Sequence, residues 1–212
     1  MSHSAPEPAQ NLRMLFLTRG GYLTAHEARG EDIHAEQLAR FVQQGCAERV
    51  QRGVYRLLDE TIPFGAAEEL LEVQLRVPYA RPCLVSALHL HALTTTRPTV
   101  LQFAVPANRT APRLAFPRIQ IFYFRPASYA FGTAELPVAS RQLTTYTPEK
   151  TMADLLKYAP KYGRDIYLEG LKNYLSQFPE RGTWGLLEAA DVLGISAPMR
   201  RDLEVLRHDQ DH

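Results

Sequence analysis

Between residues 11 and 57 the apolar positions change their period in an order that few folds can use. Residues 11–18, NLRMLFLT, place Leu12, Leu15 and Phe16 on one helical face. Gly20 and Gly21 end that helix. In the following GYLTAHEARG, Thr24 can cap a short helix, with Glu27 at the third helical position that a capping box requires, and Gly30 stops it. After Glu31 and Asp32 a third helix is expected over 34–44, closed by Gly45. ERVQRGVYRL, at 48–57, then reads as a two-stranded hairpin with its turn at Arg52 and Gly53. Helix, short helix, helix and hairpin is the chain order of a winged helix–turn–helix. In that arrangement the third helix enters the major groove and the hairpin, the wing, lies near the phosphates.

The third helix has two distinct sides. Leu38, Phe41 and Val42 fall at i, i+3 and i+4 and make an apolar stripe. At about 100° per residue the opposite side carries Glu36, Arg40 and Gln43, flanked by Gln37 and Gln44. Arg can bond guanine through two hydrogen bonds, Gln can do the same with adenine, and Glu can accept from cytosine. Any amphipathic helix has a polar outer side, so it is the hairpin following at the right distance that turns this one into a candidate reading surface. Arg49, Gln51, Arg52 and Arg56 in and around the wing complete the candidate DNA-binding set as backbone contacts.

Beyond residue 60 the pattern is mixed. DETIPF, with Pro63, interrupts regular structure. Helices are expected over 66–77 and 84–93, and strands at LQFAV (101–105), IQIFYF (119–124) and RQLTTY (141–146). Thr147, Pro148 and Glu149 form a helix start, with Met152, Leu155, Leu156 and Ala159 as its apolar stripe. Further helices are expected over 164–178, 183–193 and 198–208. The fold class is therefore α+β: a winged helix–turn–helix at 11–60, then a larger domain at 61–212 with a small sheet packed by helices. Residues 1–10, polar and with two prolines, read as a disordered leader.

Charge is distributed unevenly along the chain. Residues 1–60 hold seven arginines against eight acids, 61–147 eight arginines against four, and 148–212 nine basic residues against eleven acids. All four lysines lie at or after Lys150. The upstream arginines suit fork-like binding of phosphate or carboxylate, or reflect a GC-rich genome. Arg109, Arg113 and Arg118, in the Pro-rich loop before the second strand, are candidates for a contact surface toward nucleic acid or an acidic partner.

Catalytic patterns are missing. There is no GxxxxGKS loop, no GxGxxG after a strand and no GxSxG. His89 and His91, two apart on a helix, point about 200° from one another and cannot share a metal. Residues 101–124 contain no Asp, Glu or Lys, which argues against a metal-nuclease core on those strands. Glu149 reads as a helix-start acid and Asp154 as a solvated residue. Phe122, Tyr123 and Phe124 fit a buried strand better than a stacking platform. No cofactor or metal is expected. Cys46 and Cys83 read as reduced structural thiols, no segment approaches a membrane span, and the expected location is the cytoplasm.

The residues carry a family resemblance. The GYLT segment, the helix after it and Leu38…Gly45…ERVQRGVYRL resemble the winged helix of AbiEi-type antitoxins of type IV toxin–antitoxin, or abortive infection, systems. LRVPYARPCLVSALHLHALTTTRP (75–98) and YTPEKTMADLLKY (146–158) are similar to two further stretches of that family. The resemblance implies an N-terminal DNA-binding domain, a C-terminal antitoxicity domain, and repression of the chain's own operon at promoter inverted repeats. It implies a nucleotidyltransferase-like AbiEii toxin as functional partner, with no stable complex required, and no enzymatic activity of the chain's own. The sequence departs from the family in carrying a single arginine on the third helix, and in having His34 where a capping Ser is common. Two other readings stay open: a winged-helix enzyme processing nucleic acid at a C-terminal site, and a winged helix that binds protein.

Overall fold

A computed structural model describes residues 8–62, 64–110 and 113–210. The chain forms two compact units. The first runs to Pro78 and includes Pro137–Leu143, while the second comprises Tyr79–Leu136 and the chain from Thr144 onward.

The first unit opens with α1 (Pro8–Thr18), β1 (Tyr22–Thr24), α2 (Ala25–Gly30) and α3 (Ala35–Gln43), followed by β2 (Ala47–Gln51) and β3 (Val54–Leu57). These are the expected elements of a winged helix–turn–helix, with one addition. The segment read only as a capping turn also forms β1, which pairs antiparallel with β3, so the sheet order is β1-β3-β2. Three residues are too few for an alternation to be visible in sequence. The expected leader, 1–10, lies outside the described residues over 1–7, whereas Pro8, Ala9 and Gln10 already belong to α1.

Phe16 and Phe41 stack with centroids 5.8 Å apart, and Leu12, Leu23, Ala28, Leu38, Ala47 and Leu57 close the core around them. Each helix therefore buries the stripe that its spacing predicts. The helix α4 (Ala66–Arg76), read as opening the second domain, lies in this first unit. Glu72 of α4 accepts the Tyr22 hydroxyl at 3.1 Å and pairs with Arg56 at 3.0 Å, which ties α4 to the wing sheet.

The second unit contains β4 (Arg81–Pro82), α5 (Leu84–Leu90), β5 (Leu101–Pro106), β6 (Ile119–Phe124) and α6 (Pro126–Ala130). A hairpin of β7 (Thr133–Val138) and β8 (Arg141–Tyr146) follows, and its tip belongs to the first unit. Then come α7 (Pro148–Tyr162), α8 (Asp165–Gln177), α9 (Trp184–Val192) and α10 (Ser196–Gln210). β5 pairs antiparallel with β4 and parallel with β6. The sequence reading missed α6 and β7. Only Ala134, Leu136 and Val138 carry an alternation in β7, and its exposed partners include Pro137.

α7 is the centre of this unit. Residues 150–156 are all buried, and α5, α8 and α9 pack around the helix. A helical stretch buried all round normally carries apolar residues only. This one carries Lys150, 0 % exposed, and Asp154, 1 % exposed, joined at 2.5 Å. Asp154 is therefore not the solvated residue its sequence position suggested: one helical turn brings the two charges onto the same buried stripe.

Candidate nucleic-acid interface

α3 begins at His34, whose side chain makes no cap hydrogen bond. The Gln37 side chain compensates in part by accepting the His34 N–H at 2.8 Å. Leu38 and Phe41 pin the inner side of the helix, which leaves Glu36, Gln37, Arg40, Gln43 and Gln44 exposed on the outer side. Gly45, at φ +72°, ends the helix in the left-handed conformation that glycine tolerates best.

The wing follows at once. Its turn is Arg52 and Gly53, with Gly53 at φ +80° and a register shift between Arg49 and Gln51. Arg49 and Arg52 are exposed. The other two wing candidates are engaged within the fold. Gln51 accepts the Arg76 Nε–H at 3.1 Å and donates to the Arg76 carbonyl at 3.4 Å. Arg56 stands directly across the strands from Glu48 and pairs with it. The same guanidinium also meets Glu72 and lies 4.7 Å over the Phe64 ring. Opposite charges facing each other across a strand pair satisfy one another before any ligand arrives. The sequence, read one strand at a time, gave no sign of this partner.

Pairing decides which arginines of the first unit remain available. Arg13 pairs with Asp59, Arg19 with Glu27 and Glu31, and Arg141 with Glu27. Among the described residues Arg29, Arg40, Arg49 and Arg52 are exposed and have no ion pair. One is on α2, one on α3 and two are in the wing.

The corner that joins β1, α2 and the wing is densely bonded. The Thr24 hydroxyl accepts the Glu27 N–H at 3.2 Å, and Glu27 accepts the Thr24 N–H at 2.7 Å, which completes the expected capping box. The Ala25 N–H donates to the Gly53 carbonyl at 2.8 Å, so the first residue of α2 holds the wing turn. Burial pushes the Glu27 carboxyl up, but Arg141, the Thr24 N–H and the Thr24 hydroxyl outweigh it and hold the group at about 2.

In the second unit the three candidate arginines lie along residues 109–118, ahead of β6. Arg113 and Arg118 line a groove with Val100, Leu114, Ala115 and Ile119. Arg109 instead lies 5.5 Å over the Tyr79 ring, and the Tyr79 hydroxyl donates to the Thr110 carbonyl. Phe122 and Phe124 are buried as expected, while Tyr123 is half exposed. From Val73 to Ala134 the chain contains no acid. The buried pair on α7 is close to Cys83 and sits under two rings, with Lys150 Nζ 4.6 Å from the Phe124 centroid and 4.7 Å from that of Tyr146. Burial raises Asp154 to about 6 against the pull of Lys150, lowers Lys150 and raises Cys83. Sequence reasoning missed two features, the buried Lys150–Asp154 pair of the second unit and the role of Arg141 in the first. The i, i+4 spacing of Lys150 and Asp154 beside the apolar Met152, Leu155 and Leu156 was the available signal for the first. Nothing local marks the second.

The first unit is, by element order, sheet order and exposed polar helix face, a winged helix–turn–helix. Residues 10–58 match the family of transcriptional regulators described as AbiEi antitoxins, and the match ends one residue beyond β3. The matched stretch is the winged helix alone. No curated protein matches the chain. Among the described residues no helix is long and apolar enough to cross a membrane.

Proposed function

We propose that the chain represses its own operon by binding inverted repeats in the promoter, and counteracts a nucleotidyltransferase-like toxin encoded beside it without catalysis of its own. The observation that carries the DNA-binding half is the set of unpaired arginines, Arg40 on α3 and Arg49 and Arg52 in the wing, in the segment that matches the AbiEi regulators. In this reading Glu36, Gln37, Arg40, Gln43 and Gln44 face base edges, while Arg49 and Arg52 hold phosphates. Gln51 and Arg56 shape the wing instead. Protection from the toxin is assigned to the region after the winged helix, with the surface carrying Arg109, Arg113 and Arg118 as its contact face.

Competition binding on promoter and scrambled duplexes tests the DNA half. Arg40→Ala should cost about 1–3 kcal/mol on the promoter site and flatten discrimination there. Arg52→Ala should weaken both duplexes alike and reduce the salt slope by about one. Equal losses on both duplexes from both variants would remove the groove assignment of α3.

A further inference from the structure

Residue 141 belongs to the first unit although it lies far from it in sequence. Its side chain is 13 % exposed, and the guanidinium donates to both Glu27 carboxylate oxygens, Nη1 to Oε1 at 2.8 Å and Nη2 to Oε2 at 3.0 Å. The same group donates from Nε to the Arg19 carbonyl at 2.9 Å and from Nη2 to the Tyr22 carbonyl at 2.7 Å. One side chain thus holds the start of the α1–β1 connection, the first residue of β1 and the capping acid of α2. Glu27 stands 114 residues away in the chain.

The packing behind this contact is tight. A Cβ placed on Gly20 would come within 1.4 Å of the Ala139 carbonyl oxygen, so the backbone of the tip lies directly against the α1–β1 turn. Ala139 and Ser140, at φ +47° and +59°, form the two-residue turn that presents Arg141.

Both parts of the proposed reading head are attached to the corner that Arg141 holds. The start of α2 bonds the wing turn through Ala25 and Gly53, and Thr24 is paired with Val54. The end of α2 feeds the turn into α3, where the Ile33 N–H donates to the Ala28 carbonyl at 2.9 Å. Ala28 and Leu38 then share one core. A fork with two fixed carbonyls and a bidentate carboxylate sets an orientation that a single ammonium cannot reproduce.

We propose that Arg141 is a positioning residue for DNA reading, which fixes the β1–α2 corner and through it the relative placement of α3 and the wing. Residues 137–143 are then a working part of the winged helix. The proposal rests on the DNA-binding reading above, and the experiment separates the two.

Arg141→Ala, Arg141→Lys and Glu27→Gln are made in the full chain and compared at a temperature where circular dichroism shows each to be folded. The first readout needs no DNA: hydrogen exchange of the amides of residues 25–30 against those of α7. Arg141→Ala and Arg141→Lys should lose about tenfold protection in α2 with α7 unchanged. Glu27→Gln, which keeps a capping amide and neutral partners for the fork, should lose less. The second readout is competition between promoter and scrambled duplexes. Discrimination should fall about tenfold in both Arg141 variants while affinity for the scrambled duplex and its salt slope stay unchanged, because Arg40, Arg49 and Arg52 are all present. A role in stability alone would leave discrimination by the folded molecules intact, and that result overturns the proposal. So does unchanged α2 exchange, or restoration of both readouts by Arg141→Lys. If the unaltered chain does not discriminate between the duplexes, the DNA-reading assignment fails, and the exchange arm still decides whether Arg141 holds the corner.

Discussion

Lys150 and Asp154 give the sharpest test of the energetics of the second unit. Removing one member of a fully buried ion pair leaves the other without its counter-charge, which costs about 3–5 kcal/mol. Lys150→Met keeps the aliphatic stem against Phe124 and Tyr146 but strands the carboxylate. It also gives up a desolvated cation–π contact, about 2 kcal/mol. Asp154→Asn strands the ammonium. Against a total stability of about 5–15 kcal/mol either loss is large.

The two single variants should differ in the sign of their pH dependence. In Lys150→Met the folded carboxyl is pushed above its unfolded value of about 3.9, so its contribution is intact below that value and lost as pH rises; the deficit shrinks on acidification. In Asp154→Asn the folded ammonium is pushed below its unfolded value of about 10.4, so its contribution is intact above that value and lost as pH falls; the deficit shrinks at high pH. The double variant Lys150→Met/Asp154→Leu buries no charge and should lie within about 1–2 kcal/mol of the parent with little pH dependence. Urea unfolding at pH 5, 7 and 9 measures all three. Circular dichroism follows the unfolding, because Trp184, the single tryptophan, is already largely exposed in the fold. Single variants that cost less than about 1 kcal/mol, or that share one slope with pH, would refute the buried-pair account.

Two further outcomes follow from pairing elsewhere. Glu27, held at about 2 in the fold against about 4.3 unfolded, contributes stability that is complete above the unfolded value and lost as pH falls toward 2. After discounting for its partial exposure this amounts to about 1–2 kcal/mol, and Glu27→Gln should flatten that acid limb in a thermal-unfolding series. Replacing Arg109, Arg113 and Arg118 together by Ala should abolish protection from the co-expressed toxin while leaving promoter repression intact. Full protection by the folded triple variant would show that these arginines are not the contact face.

Much of the fold was legible because it is written in short-range signals. The Thr24…Glu27 box, Gly45 after α3, the Arg52–Gly53 turn and the Thr147–Pro148 helix start all rest on residues within four positions of one another. Local steric and capping rules are sufficient to read them. The candidate site was legible only in part, because exposure follows from sequence period but pairing does not. Arg52 and Arg56 look alike in ERVQRGVYRL. One is free, and the other is held by Glu48 across the sheet and by Glu72 from α4. α4 joins the first unit for the same reason, since its partners Tyr22, Gln51 and Arg56 are apparent only once the sheet is assembled.

The near-zero charge of the N-terminal segment takes on a different meaning once these pairs are drawn. Half of the eight acids that lower its net charge are spent on internal arginines: Glu27 and Glu31 on Arg19, Glu48 on Arg56, Asp59 on Arg13. What α3 and the wing offer outward is Arg40, Arg49 and Arg52 beside Glu36. The two phosphates assigned to Arg49 and Arg52 correspond to a salt slope of about −2, too shallow for tight binding by one copy at physiological salt. Under the proposed repression at inverted repeats, two copies together would double that slope to about −4 and add the avidity of a second site. A weak head used twice also places more weight on geometry. In the proposed assembly each copy must present helix and wing at a fixed angle for both half-sites to be filled, and that constraint is the one assigned above to Arg141.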